Sequence, residues 1–329
     1  MKHYTMYHCH SMYSILDSAT HYQDYVELAK RDGMTALSIS EHGKPLNWCE
    51  KWNACRQAGI KYMHSVEIYL TESLEQRVRD NYHTVLIARN MDGLRELNAA
   101  ISRSCDPDHF YYVNRMTFEE FLALSDNIIS TSACLASPLC RLSPDNPMYE
   151  RLARKYTFLE IQPHVNEDQA AYNLRLLELS RRIGTPLIAA TDTHSSSRYK
   201  AECRSVLLES KNKSYGDEDT FDLTWKTREE LEEMFARQGV LPSSVFIEAI
   251  DNTNLLEEMT EPIELDTSIK YPILYGSQEA DTERFEEAVW DGLQSKVENG
   301  IIPKSQEAGF REALTEELRV FRKLNMSGL

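Results

Sequence analysis

The sequence predicts an α/β fold in which strand-helix units alternate around a parallel sheet that is closed, or nearly closed, into a barrel. Short apolar runs rich in β-branched residues recur through the first two thirds of the chain, and amphipathic stretches at helical spacing separate them. Roughly six or seven such units suit a barrel better than a sandwich. An open doubly wound sheet is the alternative fold, although the sequence lacks the glycine-rich GxGxxG and P-loop motifs.

In the first part of the chain, four apolar segments are predicted as strands or extended chain: 5–10, 36–40, 60–70 and 84–88. Amphipathic spacing between and after them predicts three helices: 22–31, 48–57 and 94–102. Asp32-Gly33 stops the first helix, and Gly59 follows the second. The polar stretch 71–81 is predicted as a loop.

In the second part, three further segments are predicted as strands: 127–132, 157–162 and 187–191. A helix begins near Phe118, and a longer one over 167–183 is closed by Gly184 with Pro186 beyond it. From Lys226 onward the pattern changes to helices with acidic faces, a Pro-containing stretch over 261–275 and two more helices.

We therefore place a domain boundary near residue 215 and a weaker one near residue 275. Residues 1–215 are predicted as the barrel, 216–275 as a helical extension packing on or near it, and 276–329 as a separate terminal segment. Hydrophobic residues at 42% and charged residues at 27% are values of globular proteins, which excludes a disordered or fibrous chain.

The charge balance favours metal cations over nucleic acid as direct partners. The chain has 52 acidic and 36 basic residues, a formal net charge of −16, whereas non-specific DNA binding needs many Lys and Arg contacts to phosphates. No apolar run is long enough for a membrane span, and the N-terminus lacks the apolar core of a signal peptide. Seven irregularly spaced cysteines do not form a disulfide framework. We expect a cytoplasmic protein without a membrane partner.

Histidines cluster at the ends of the predicted strands. Five of them follow an apolar run, where the carboxyl ends of barrel strands face the active-site mouth: His8, His10, His42, His164 and His194. His83 precedes its run and requires a different geometry. His164, in EIQPHVNE, could be a metal ligand, a general acid or a substrate contact.

Two ligand pairs have a spacing of two. In an extended chain His8 and His10 project to the same side, so both imidazoles can bind one metal. Asp192 and His194 repeat this spacing after LIAAT and add an oxygen ligand, which suits Zn, Mn or Fe. An isolated HxH is as often just two polar residues at a strand end. Asp17, in SILDSA, could add a carboxylate or be a helix cap.

Four more residues are candidate ligands: His42, Glu67, His83 and Cys134. Each alone is better explained as a structural residue, so the argument depends on the set. Nine candidate ligands suffice for two or three metals, and sites of that kind activate water and clamp a phosphoryl group. They are His8, His10, Asp17, His42, Glu67, His83, Cys134, Asp192 and His194.

Several motifs, in order along the chain, resemble those of the polymerase-and-histidinol-phosphatase (PHP) domain: YHCHSMYSILDSA, SISEHGKP, SVEIYL, YHTVLIARN, STSACLAS, EIQPH and IAATDTHSSSRYKAE. The most similar form is the one that opens the alpha subunit of bacterial DNA polymerase III. WKTREELEEMFA and IDNTNLLEEM resemble the stretch that follows it, and EELRVFRKLNMSGL resembles the segment leading into the polymerase palm.

This resemblance implies a distorted (β/α)7 barrel followed by a smaller, mainly helical segment. It also implies phosphoester hydrolysis at a trinuclear metal site. In the polymerase branch of the family, this activity is that of a proofreading 3′-5′ exonuclease. The nine candidate ligands match the family's ligand positions, and Glu67, His164 and Asp192 become the expected catalytic residues. Two or three divalent ions are expected, Zn or Mn first, with Fe and Mg as alternatives.

The expected partners are a DNA 3′ end or another phosphoester, the remainder of a replicative polymerase and replisome proteins. In two places the sequence departs from the family pattern. Glu41 stands where an Asp commonly precedes the histidine, and the chain ends before the palm, so we expect no polymerisation by this chain alone. Two alternatives remain: a small-molecule phosphatase of the histidinol-phosphate type, and a non-catalytic, metal-stabilised docking domain.

Overall fold

The structure, a computed structural model, describes residues 4–75, 77–216, 220–268 and 270–328. Contacts within the chain divide it into two compact units, Met1–Glu264 and Leu265–Leu329, and each is described by itself. The predicted division at residues 215 and 275 into functional segments stays a prediction.

The strands of the described residues lie in the first unit: β1 (Ala36–Leu37), β2 (Lys61–Tyr62), β3 (Ser65–Thr71), β4 (Tyr82–Ala88), β5 (Arg115–Thr117), β6 (Ile128–Thr131), β7 (Leu159–Ile161) and β8 (Leu187–Ala189). The helices of this unit are α1 (Tyr22–Arg31), α2 (Trp48–Ala58), α3 (Met91–Ser104), α4 (Phe118–Ala123), α5 (Pro138–Arg141), α6 (Pro147–Lys155), α7 (Glu167–Ile183), α8 (Arg198–Ser210), α9 (Arg228–Gln238), α10 (Ser243–Asp251) and α11 (Leu255–Met259), with a 3-10 turn at Asn252–Asn254.

The two helices with the clearest sequence signals are confirmed with the predicted ends. Helix α1 spans the predicted residues, and α7 ends at Gly184, whose φ of 83° lies in the left-handed region that glycine adopts without strain. The side chain of Asn166 caps α7 by accepting hydrogen bonds from two backbone amides of the first turn. Helices α5, α6 and α8 were not predicted.

The sheets differ from the predicted parallel arrangement. The described strands form three sheets, in the orders β1-β2, β5-β3-β4-β6 and β7-β8, and β4 runs antiparallel to both β3 and β6. The expectation of parallel strands is wrong here because the connection between β3 and β4 is a short polar loop, and its described residues, 72–75 and 77–81, form no helix. A parallel connection needs a crossover of a dozen or more residues, whereas a short loop returns the chain antiparallel.

Single bridges and backbone hydrogen bonds link these sheets. His42 bridges Glu67 of β3, and Thr131 of β6 bridges Phe158 beside β7. The extended residues 5–10, predicted as the first strand, form one isolated bridge, between Cys9 and Thr193. The amide of Ser40 donates to the carbonyl of Cys9 on the other side of this segment.

The core of the first unit includes the face of the large sheet that carries Glu67, because Val85 lies opposite Glu67 and Ile129 lies opposite Ile87. It comprises buried residues from several segments: Tyr7, Ala36, Met63, Val85, Ile87, Ile129, Ala133, Phe158, Ile188, Ala190 and Leu256. Helix α10 packs against β8, and the Asn252 side chain donates to the carbonyl of Leu187. Helices α9, α10 and α11 therefore belong to the compact unit that contains the sheets.

The second unit is helical, as predicted for the end of the chain. It contains α12 (Gln278–Glu298), a 3-10 turn (Lys304–Gln306) and α13 (Glu307–Leu324). The rings of Phe285 and Phe321 lie 4.9 Å apart between the two long helices. Among the helices of the described residues, none has the length and apolar character needed to cross a bilayer.

Candidate metal centre

The segment His8-Cys9-His10 places two imidazoles on one side of an extended chain. The Nε2 atoms of His8 and His10 lie 3.2 and 3.1 Å from Oδ1 of Asp192, and both imidazoles are fully buried. Cys9 faces the other way and donates from Sγ to the carbonyl of Ser38. This is the alternation that the spacing of two predicts for an extended segment.

Asp192 and His194 follow β8 and face the same point. Asp192 has a φ of 49°, a left-handed conformation that is unfavourable for a non-glycine residue and is typical of functional sites. The Nδ1 atom of His194 donates to the backbone carbonyl of Asp192 at 2.8 Å. This hydrogen bond leaves Nε2 of His194 available as a ligand atom.

Glu67, in the middle of β3, lies between four imidazoles. Its Oε2 atom is 2.7 Å from Nδ1 of His42, and its Oε1 atom is 2.9 Å from Nδ1 of His83. The Nε2 atoms of His8 and His10 are each 3.4 Å from this carboxylate. A buried carboxylate in this position can bridge neighbouring metal ions.

The antiparallel direction of β4 explains how His83 reaches the centre. His83 is the second residue of β4, and in the antiparallel pairing it lies opposite Tyr69, near the carboxyl end of β3. The Sγ atom of Cys134 is 3.6 Å from Nδ1 of His83. His83 precedes its apolar run and still reaches the centre because β4 runs antiparallel to β3.

Asp17 completes the cluster from the loop before α1. Its Oδ2 atom lies 2.8 Å from Nε2 of His42 and 3.1 Å from Nε2 of His194. Its other oxygen receives a hydrogen bond from Arg204 at 2.6 Å. Arg204, on α8, thus fixes the orientation of this carboxylate.

The structure brings all nine candidate ligands to one place and leaves His164 at its side. Ligand atoms of six of them form three overlapping groups, within each of which all atoms lie within 4.8 Å of one another: His10, His42 and His194; His8, His10 and Glu67; His42, Glu67 and His83. His164 stacks on Phe221, with ring centroids 4.5 Å apart, and burial lowers its pKa to about 4.

The donor atoms of this cluster fit divalent metal ions. Within the described residues, six of them are buried and have no hydrogen bond: His8 Nε2, His10 Nε2, His42 Nδ1, both carboxylate oxygens of Glu67 and Asp192 Oδ1. These atoms lie at ion-pair distances from one another but form no hydrogen bond, which is costly for buried polar atoms and is relieved when metal ions bind among them. Imidazole, carboxylate and thiol ligands suit Zn, Mn or Fe.

The electrostatics of the centre keep Glu67 and His10 in the form that binds metal. Burial raises the pKa of Glu67, but the imidazoles of His83, His42 and His8 outweigh it and hold that pKa well below its usual range. Burial and two neighbouring imidazoles lower the pKa of His10 to about 3. The carboxylate is therefore ionised and the His10 imidazole neutral, as ligands must be.

Sequence analysis missed Glu160, which holds His8 in place. Its Oε1 atom lies 2.7 Å from Nδ1 of His8, so the opposite ring nitrogen faces the cluster. The hydroxyls of Tyr7 and Thr131 and the amide of Gln162 also donate to this carboxylate. The available signal was an acidic residue inside the apolar strand TFLEIQ, where a charge needs partners.

Glu41, the departure from the family pattern, points away from the cluster. Its buried carboxylate lies 2.5 Å from Nζ of Lys51 and accepts hydrogen bonds from the backbone amide of Ser11 and the hydroxyl of Ser14. The Ser14 hydroxyl in turn accepts from the amide of His42. Glu41 therefore anchors the loop that carries Asp17 to the backbone of His42.

The cluster is accessible from one side. The side chains of His42 and His83 are 16% and 21% exposed, whereas those of His8, His10 and Glu67 are completely buried. A phosphoester can therefore approach the centre from the side of His42 and His83.

Comparison with known proteins gives two kinds of similarity. The chain is 27% identical over 331 residues to the DNA polymerase III subunit alpha of Borreliella burgdorferi, which covers 93% of this chain and 28% of that protein. It is 30% identical over 217 residues to the same subunit of Treponema pallidum, covering 61% of this chain and 18% of that protein. The chain thus spans less than a third of these relatives. Endonuclease Q, solved with a 27-mer duplex carrying an abasic lesion, aligns at 15% identity and a TM-score of 0.40 over 61% of this chain and 51% of its own.

A family profile gives the assignment. The profile of the PHP domain matches residues 6–170, which is half of the chain and includes seven of the nine candidate ligands. These seven span the elements from the HxH segment to the residues after β6. This chain belongs to the PHP domain family.

Proposed function

We propose that the chain is a metal-dependent phosphoesterase and that its substrate is the 3′ end of a DNA strand, from which it releases nucleotides as a 3′-5′ exonuclease. The observation that carries this proposal is the convergence of buried imidazole and carboxylate atoms without hydrogen bonds into three overlapping ligand groups. A purely structural cluster would leave these atoms unsatisfied.

The ligand roles follow from the distances. Glu67 lies near four imidazoles and Asp192 near three, so these two carboxylates would hold the ions at the middle of the cluster, and Asp17 and Cys134 would hold them at its edge. When bound, two or three divalent ions activate water and neutralise charge on the phosphoryl oxygens. Zn or Mn are the proposed ions, with Fe and Mg as other outcomes of metal analysis.

His164 is the proposed contact to the reacting substrate. Its side chain is buried, yet within the described residues neither ring nitrogen has a hydrogen bond. A ring nitrogen of this kind can donate to, or accept from, the phosphoester or its leaving oxygen.

The names of the relatives support a place in DNA replication. Because those proteins are polymerase subunits, we propose that this chain corresponds to the N-terminal region of such a subunit and that its partners are the rest of the polymerase and other replisome proteins. The net charge of −16 predicts weak DNA binding by this chain alone, so other parts must hold the substrate.

We also propose that the sheets close into the distorted (β/α)7 barrel of the family. Bridges at Cys9–Thr193, His42–Glu67 and Thr131–Phe158 link one sheet to the next, and the antiparallel strand β4 is the distortion. In such a barrel the cluster lies at one mouth, as in other α/β barrels.

The test combines metal analysis and hydrolysis on one sample. Two or three ions per chain, with chelator-sensitive release of mononucleotides from a 3′-labelled single-stranded oligonucleotide, are the expected results. His10→Gln and Asp192→Asn should abolish both, whereas the matched exposed variants His21→Gln and Asp145→Asn should abolish neither. Unchanged hydrolysis in both cluster variants would contradict the assignment of the cluster as the active site.

Two other outcomes point to the alternatives. Hydrolysis of a small phosphomonoester without release of nucleotides indicates a phosphatase of the histidinol-phosphate type. Bound metal without any hydrolysis indicates a structural or docking domain.

A further inference from the structure

A cavity of about 360 Å³ opens beside the candidate metal centre, on the side of β7 and β8. One wall is the segment Pro163–Val165 that follows β7. The opposite walls are residues 220–222 and the face of α9 from Glu230 to Arg237. The cavity is at the small end of ligand sites in proteins, so it can hold one small molecule but not a length of strand.

The backbone places this cavity next to the metal ligands. Strands β7 and β8 are parallel, with Ile161 opposite Ala189, and continuing this register brings His164 to the level of Asp192. The amide of His194 donates to the carbonyl of Leu223, two residues from Phe221. The two walls of the cavity are thus attached to the segments that carry Asp192 and His194.

The cavity wall carries an aromatic pair and one buried, unpartnered side chain. The rings of His164 and Phe221 are stacked within 9° of parallel, and Phe221 is half-buried. His164 is 2% exposed, and in the described part of the chain neither of its ring nitrogens has a hydrogen bond. Such a site offers a flat apolar face together with a polar edge that still lacks a partner.

Five charged residues line the cavity: Asp222, Lys226, Glu230, Glu233 and Arg237. The Glu230 carboxylate accepts a hydrogen bond from the backbone amide of Thr227, and Glu233 is exposed. Lys226 is buried and its Nζ lies 2.9 Å from the carboxylate of Asp222. This ion pair stabilises the cavity wall, so Lys226 is not assigned to ligand binding. Arg237 on α9 is exposed, and no ion pair joins it to another described residue. Its guanidinium can therefore contact a base edge or a phosphate.

From these features we infer that the cavity binds the terminal nucleoside of the strand being cut, with the base against Phe221 and Arg237 at the rim. This inference rests on the proposed exonuclease function. Hydrolysis adds the hydroxide of water to phosphorus, breaks the P–O3′ bond, and leaves the proton on the new 3′-hydroxyl. The product is a nucleoside 5′-monophosphate, and its nucleoside occupies the cavity.

The test separates binding from hydrolysis. Binding of thymidine 5′-monophosphate to the 329-residue chain is measured by equilibrium dialysis. Base–aromatic stacking predicts that Phe221→Leu weakens it roughly 5- to 100-fold. Arg237→Gln should weaken it less, and Phe310→Leu, an exposed phenylalanine of the second unit, should leave it unchanged. Thymidine without the phosphate should show the same dependence on Phe221.

Hydrolysis gives the second measurement. Phe221→Leu should raise KM for p-nitrophenyl thymidine 5′-monophosphate more than KM for bis(p-nitrophenyl) phosphate, which has no nucleoside, and Phe310→Leu should change neither. If neither ester is hydrolysed by the wild type, the proposed function fails. The binding experiment still shows whether the cavity binds a nucleoside. Equal affinity of wild type and Phe221→Leu for thymidine 5′-monophosphate, or no binding by the wild type, would overturn the inference.

Discussion

The carboxylate of Glu160 lies 2.7 Å from Nδ1 of His8 and directs the opposite nitrogen of that imidazole into the ligand cluster. Carboxylates in this position fix the tautomer and the orientation of a metal-binding histidine. Neither group is exposed to solvent, so water cannot replace the contact.

Glu160→Gln should therefore weaken metal binding about 10- to 100-fold while leaving the fold intact. The amide keeps the size of the side chain but loses the charge that orients His8. Competition with a fluorescent chelator measures the affinity. The exposed Glu150→Gln variant is the matched control, and equal affinities in the two variants would contradict the role of Glu160.

Local patterns predicted more of this site than long-range ones. The paired ligands His8 and His10 were predictable because alternation along an extended segment is a local property. Glu160 and Arg204 were not, because their partners are 152 and 187 residues away in sequence. For His83 the sequence indicated an unusual geometry, but only the strand pairing shows that β4 runs antiparallel.

The same distinction holds for the fold. Helices α1 and α7 were predicted with their ends because amphipathic spacing and stop signals lie within the segment itself. Strand direction depends on the connection and on the partner strand, so the antiparallel pairs of β4 were missed. The short helices α5 and α6 are each a few turns at most, too short to display a clear period.

Removal of metal should destabilise the first unit. Glu67 and Asp192 are buried, and their repulsion and unsatisfied oxygens are compensated when a cation binds. A metal at 100 times its Kd stabilises the folded chain by about 2.7 kcal/mol per site. Thermal unfolding with added Zn or Mn and with excess chelator measures the difference. An unchanged Tm would show that these atoms do not hold a metal in the folded chain.

Lys51→Met should be strongly destabilising although Lys51 lies outside the ligand cluster. Lys51 and Glu41 are a fully buried ion pair, and removal of the cation leaves the Glu41 carboxylate with only neutral donors. Breaking such a pair costs about 3–5 kcal/mol. Urea unfolding measures the loss, with exposed Lys211→Met as the control. A loss no larger than that of the control would show that the pair is dispensable.

His64 should make the protein less stable in mild acid. Its imidazole is buried against the ring of Trp48, and Nε2 lies 3.1 Å from the side-chain oxygen of Asn98. Burial lowers the pKa of His64 to about 4, with a smaller contribution from the charge of Lys51, whereas the unfolded chain has the ordinary value of about 6.5.

The sign follows from proton uptake. Between pH 6.5 and 4 the unfolded chain binds more protons at this residue than the folded chain, so stability falls as the pH is lowered through this range and is unaffected by His64 above it. The full loss is on the order of 3 kcal/mol.

The Gln side chain of His64→Gln binds no proton in this pH range. The stability of this variant at pH 7 is therefore lower than that of the wild type, but its stability declines less steeply from pH 6.5 to 4. Urea unfolding at several pH values, with chelator present throughout, keeps the metal ligands from dominating the comparison. The exposed His21→Gln variant should show the wild-type slope. If His64→Gln also shows the wild-type slope, His64 is not held in its neutral form in the folded chain.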